Sequence, residues 1–213
     1  MSELRLKSTG TIKLFENDNT SSVTIASPAS LGADRTITLP DADVTLVSGT
    51  MATTNGITEI DNWRVTADFS GSTNPISANW ERVDSKAAGY LGTGMSVSSG
   101  NWTFPSTGFW LVEAYSNLYL ATGTSAYNGI TIKVTEDAAS GATYTEVSLG
   151  QSSFVDGSVG QYVNVRSQYI LDVTDTANIK FFMGCSFNNS SVNCKGATDN
   201  SVTGLNFFRL GDT

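Results

Sequence analysis

The stretch NWTFPSTGFWLV, Asn101 to Val112, gathers Trp102, Phe104, Phe109, Trp110, Leu111 and Val112 around a Pro–Ser–Thr–Gly signal. Pro105 and Gly108 punctuate two apolar segments, which predicts a tight β–turn–β connection. The rest of the chain is rich in Ser, Thr, Asn and Gly. Against that background the aromatic density marks the centre of a β-sandwich core.

Outward from this stretch the chain alternates. In YNGITIKVTED, Ile130, Ile132 and Val134 share one face while Thr131, Lys133 and Thr135 share the other. Val163, Val165, Tyr169, Leu171 and Val173 fall on one parity, as do Ile179, Phe181, Met183, Cys185 and Phe187. Each pattern predicts a half-buried strand. No window keeps the i, i+3, i+4 apolar spacing of a helix. Two strands are apolar on both faces. After Gly108, Phe109, Leu111, Glu113, Tyr115 and Tyr119 share one parity, and Trp110, Val112, Ala114, Leu118 and Leu120 the other. In TGLNFFRL, Leu205 and Phe207 oppose Phe208 and Leu210. A strand apolar on both faces is covered on both, by a neighbouring subunit or through a bulge that swaps faces. Glu113 stands out in its strand and needs a partner if buried; Arg64, Arg82, Arg166 and Lys180 are the candidates.

The first fifty residues hold only short β-like pieces: TIKLF, SVTIA, TITLP and VTLV. Each offers few apolar residues, namely Ile12 and Leu14, Val23 and Ile25, Ile37 and Leu39, or Val44 and Leu46. Such strands bury too little to offset their ordering entropy alone, so they need the rest of the chain or copies of themselves. Ser48–Gly56 reads as a linker. The expected organisation is a β-rich N-terminal region over 1–56 and a main domain over 57–213.

Composition narrows the function. In 213 residues, 39% are hydrophobic and only 15% charged, with a formal net charge of −8. An acidic chain without a basic run disfavours nucleic acid and anionic lipid, and no apolar run approaches the ~20 residues of a membrane span. The charged N-terminus lacks a secretory apolar core. Cys185 and Cys194 flank a loop, FNNSSVN; a disulfide across it is geometrically possible, but a reducing compartment favours two free thiols. Histidine is absent, which removes His-based triads and His-ligated metals, and no phosphate-binding GxxxxGK loop is present.

The remaining candidate chemistry is sparse. Asp61, Asp68, Glu81 and Asp84 are the carboxylates a glycan hydrolase would draw on, but their spacing pairs no two of them, so no catalytic or cofactor-binding residue is assigned. Calcium is the ion that oxygen-rich loops would suit, around Asp18, Asp41 and Asp43, or Asp172 and Asp175; capping of the local backbone is the expected role of these residues. The loops bearing Tyr144, Phe154, Asp156, Asn188, Asn189 and Asn193 combine aromatics with amides that suit stacking on, and hydrogen bonding to, a sugar or surface protein.

Two resemblances add to this reading. Phe104, Pro105, Gly108, Phe109 and Trp110, then YNGITIKV, YILDVTDTANIKFFM and SVTGLNFFRLG, resemble in order and spacing the globular-head domain of the complement and tumour-necrosis-factor (TNF) superfamily. This resemblance covers about two-thirds of the chain and implies a jelly roll that assembles as a homotrimer. Phe109, Trp110, Leu111, Glu113, Tyr115, Phe207 and Phe208 are then the expected trimer-interface residues. TITLPDADVTLVSGT and ISANWERVDS, with LGTGMSVSSGNWTFPSTGFWLV, resemble tail-fibre and virion appendage proteins of tailed bacteriophages, especially of marine bacteria. That implies an all-β trimeric head behind a small N-terminal anchor or stalk contacting other virion proteins. The implied protein is made in the host cytoplasm, sits on the virion surface and attaches to a host glycan or protein without enzymatic activity. A head fibre or capsid decoration with a purely structural role is the alternative, and a glycan depolymerase a more distant one.

Overall fold

The computed structural model describes residues 11–26 and 57–213. The chain divides into two compact units, Met1–Met51 and Ala52–Thr213. TITLP, VTLV, Asp41, Asp43 and the linker expected at Ser48–Gly56 lie outside the described residues.

In the first unit, TIKLF and SVTIA form the strands Thr11–Phe15 (β1) and Ser22–Ala26 (β2). They pair as an antiparallel hairpin, with Ile12 opposite Ile25 and Leu14 opposite Val23. Asp18 Oδ1 organises the turn by accepting hydrogen bonds from the amide and hydroxyl of Thr20, as Asp does in Asx-type turns.

Among its described residues the second unit holds twelve further strands and one short helix. In order they are Ile60–Val65 (β3), Phe69–Ser70 (β4), Trp80–Arg82 (β5), Ser96–Ser98 (β6), Asn101–Thr103 (β7) and Gly108–Leu120 (β8). Then follow Ser125–Thr135 (β9), the helix Ala138–Gly141 (α1), Thr145–Phe154 (β10), Gln161–Val173 (β11), Lys180–Phe187 (β12), Asn193–Cys194 (β13) and Thr203–Gly211 (β14). All strand pairs are antiparallel. One sheet runs β10-β9-β12-β7-β6. The other is built on β8, which pairs along its whole length with β11 on one side and with β14 and β13 on the other. Beyond these lie β3 and β4, then β5. This is the all-β sandwich expected from the alternation.

The aromatic stretch lies at its centre, but not as a hairpin. The turn after Phe104 carries the chain from β7 in one sheet to β8 in the other. The hairpin is instead β6–β7, turned by Ser99 and Gly100, which both have positive φ (50° and 83°). That is the conformation a two-residue hairpin loop requires. Trp102 is fully buried and packs edge-on against Trp63 and Trp80 at 5.2 and 5.1 Å, with Phe207 at 5.2 Å. Phe104 bridges Trp110 and Phe181, at 5.3 and 5.6 Å. These rings come from both sheets, so the stretch fastens the sandwich across its thickness. Hydrophobic burial together with edge-to-face ring contacts supplies the stabilisation.

A buried ionic cluster ties the β5–β6 connection to the sheet. Asp61, 1% exposed, accepts hydrogen bonds from the Trp63 indole, the Met95 amide and the Arg82 guanidinium. Arg82 also lies over the rings of Trp63 and Tyr90, at 4.9 and 4.3 Å. Glu59 accepts the amides of Thr93 and Gly94. The loop is held by these charge-assisted bonds together with the Met95 side chain, which is buried in the core.

Candidate assembly face and loop end

The two parities of β8 have different surroundings. Trp110, Val112, Ala114, Leu118 and Leu120 are buried in the sandwich, whereas Phe109, Leu111, Glu113, Tyr115, Asn117 and Tyr119 form the outer face. Register extends that face across the sheet, because directly paired residues point the same way. On β11, Tyr162, Asn164, Arg166, Gln168 and Ile170 pair with Tyr119, Asn117, Tyr115, Glu113 and Leu111. On β14, Gly204, Asn206 and Phe208 pair with Tyr115, Glu113 and Leu111, and Ile60 of β3 pairs with Phe208.

The face therefore has three zones. Ile60, Leu111, Phe208, Ile170 and Phe109 make an apolar end, with Ile170 55% and Phe109 40% exposed. Glu113, Gln168, Asn206, Tyr115 and Arg166 make a polar middle around a cavity of ≈ 190 Å³. Tyr119 and Tyr162 pack at 4.6 Å at the far end, with Tyr162 63% exposed. Gly204 makes room for the Tyr115 ring, since a Cβ there would lie 2.6 Å from the Tyr115 hydroxyl. Burial raises the Tyr115 phenol above its ordinary value despite a bond to Ser201 and the nearby Arg166 and Arg64, so it remains a neutral hydroxyl.

Two expected interface residues are corrected. Trp110 and Phe207 are 1% and 0% exposed and face the core, so neither side chain reaches a partner. Phe109, Leu111, Glu113, Tyr115 and Phe208 lie on the outer face. Glu113 bonds none of the four cations offered for it; its carboxylate accepts from the Asn206 amide at 3.4 Å. Arg64 is instead occupied by Glu81, Asp84 and Ser85, and Arg82 by Asp61. Ile60, Ile170, Arg166 and Tyr162 also lie on this face, although none is among the interface residues expected from the sequence. The parity of β11 implies three of them, as the alternate set to Val163 and Val165.

The expected loop residues do not form one surface. Loops 121–124, 155–160 and 188–192 meet at one end: the Gly123 amide donates to Gly157 O and the Asn189 side chain to Thr124 O. This end is opposite to Ile60 and Phe109. Asp156 belongs there, and bonds to Ser158 hold its carboxyl below the usual range. Asn188 accepts from the Ala126 amide, so it too pins the loops. Tyr144 lies at the other end, its ring 4.7 Å from Phe182 and its hydroxyl donating to Asn101. Phe154 is the last residue of β10 and is buried in the core, 1% exposed. Asn193 is a β13 residue that donates to Ser70 while its Oδ1 is buried without a partner.

The candidate carboxylates are all engaged. Asp61 pairs with Arg82, Glu81 and Asp84 with Arg64, and Asp68 with Lys195. Asp175 accepts the amides of Ala177 and Asn178, a capping role. Asp172 lies opposite Phe109 at a strand end. Among the described residues no group of three or more His, Cys, Asp or Glu side chains is placed to hold a metal ion. Nor is any helix among them long and apolar enough to cross a membrane.

The order of the strands and their division between two sheets define an antiparallel jelly roll of the TNF-like kind. Murine APRIL at pH 5.0 aligns with a TM-score of 0.51 and 12% identity, over 71% of this chain and 98% of that one. The Eiger TNF from S. frugiperda aligns with a TM-score of 0.53 and 12% identity, over 72% and 93% respectively. At this identity the likeness is one of fold. No protein-family profile and no curated protein sequence matches the chain.

Proposed function

We propose that this chain is the subunit of a homotrimeric virion appendage whose jelly-roll head attaches to a host surface. The observation that carries the assembly is the outer face of the β11-β8-β14-β3 layer, where Phe109 and Ile170 are exposed. Its apolar end, Ile60, Phe109, Leu111, Ile170 and Phe208, is continuous across four strands. Contiguous apolar surface of this kind marks an interaction site. The TNF-like fold supports three copies meeting there. The virion part of the proposal rests on the resemblance of the N-terminal and Ile76–Val112 strings to phage appendage proteins.

Attachment would use the loop end at 121–124, 155–160 and 188–192. It lies opposite Ile60, near which the chain enters this unit, and it presents Val155 and Val159, 78% and 56% exposed. The role is one of binding, with the candidate carboxylates Asp61, Asp68, Glu81 and Asp84 held in ion pairs. The test is competition. Purified protein at saturating concentration should lower adsorption of the phage that carries it. Unchanged adsorption, with the chain located on the capsid shell by cryo-electron microscopy, would replace attachment with decoration.

A further inference from the structure

The β1–β2 hairpin poses a separate problem. Its cross-strand pairs Ile12–Ile25 and Leu14–Val23 put four aliphatic side chains on one face. They are 40%, 54%, 57% and 65% exposed, for Ile12, Ile25, Leu14 and Val23. Lys13, Thr24 and Ser22 lie on the opposite face, with Phe15 at its turn end. An isolated two-stranded hairpin is marginal in water, and such a face needs a cover.

We propose that the cover is the same face of other copies of this chain, so that the N-terminal hairpins assemble with one another. Three features point to self-association. The face carries no charge and no side-chain hydrogen-bonding group with which to select a chemically different partner, whereas aliphatic surface complements itself. Among the described residues β1 and β2 pair only with each other. Among the described residues each hairpin thus leaves its outer strand edges unpaired, and such edges readily accept a strand from another chain. Finally, residues 27–56, thirty in all, lie between the hairpin and Ile57. Their contour is at most on the order of 100 Å. Copies joined at the head would therefore hold their hairpins at a mutual concentration on the order of millimolar. This tether rests on the head assembly proposed above; the chemistry of the hairpin face does not.

The experiment uses the full chain with a single added thiol, at Leu14→Cys on the aliphatic face or Lys13→Cys on the opposite one. Cys185 and Cys194 are fully buried, so the unsubstituted chain is the blank. After mild oxidation, Leu14→Cys should run as a covalent pair of chains on a non-reducing gel, while Lys13→Cys and the blank run as single chains. No interchain bond at Leu14→Cys, or equal bonding at both positions, overturns the proposal. It would leave the face to another virion protein or to segment 27–56. Light scattering reports the head independently. Absence of the cross-link in a chain of trimeric mass discards the hairpin contact alone. A cross-link that survives Ile170→Glu shows that the hairpins meet without the head.

Discussion

Asp61 shows what a buried charge does in this fold. Removing its carboxylate leaves the Trp63 indole and the Met95 amide without their acceptor, and leaves the Arg82 guanidinium with only the Met95 carbonyl. Asp61→Ala is expected to cost about 1–3 kcal/mol, as leaving buried donors unsatisfied does, read as a lowered urea midpoint. Burial acts on the two thiols in the same direction, raising both and keeping them neutral. Both are free and buried. Burial pushes the Cys185 thiol up to about 12 from an ordinary value of 9.0, with Cys194 adding to the rise. A raised acid binds its proton in the folded state where the unfolded chain has lost it. The contribution of this thiol to stability is therefore fully present below pH 9 and falls between about 9 and 12. Native protein at neutral pH should leave both thiols unreacted with a disulfide reagent, and denatured protein should react at both.

β8 is the organising element, and its two faces make opposite predictions. Trp110→Ala empties core volume beside Phe104 and should cost about 3–5 kcal/mol, measurable by thermal or urea unfolding. Its neighbour Leu111 belongs to the outer face, where substitution is expected to act on the proposed assembly and to leave the core intact. The sequence shows that β8 is apolar on both parities but not which parity faces inward. That choice is made by register, which sets Phe207 beside Val112 and Phe208 beside Leu111. Trp110 and Phe207 were assigned to the interface for want of it. Loop placement failed differently. Successive antiparallel strands turn at alternate ends, so Tyr144 after β9 and Asp156 after β10 are at opposite ends. Strand counting alone would have separated them.

For the whole molecule, the apolar end of the outer face is the feature the fold of one chain leaves unused. Ile170→Glu places a charge there without touching the core, since Ile170 is 55% exposed. For the trimer proposed above, the expected result is a drop to monomeric mass by light scattering with an unchanged far-ultraviolet circular dichroism spectrum. A retained mass would move the interface elsewhere.

Period-two alternation in YNGITIKV, QYVNVRSQYILDV and NIKFFMGCSF was enough to establish an all-β chain. Alternation is a property of the chain's own local geometry and needs no partner strand to be read. The aromatic crowding at Asn101–Val112 likewise placed the core, because so many rings can leave water only together. Which sheet each strand joins, which face of β8 looks outward, and whether Arg64 meets Glu113 or Glu81 were decided only on folding. These depend on pairing between residues far apart in the chain, and a shift of one residue exchanges every inside position for an outside one.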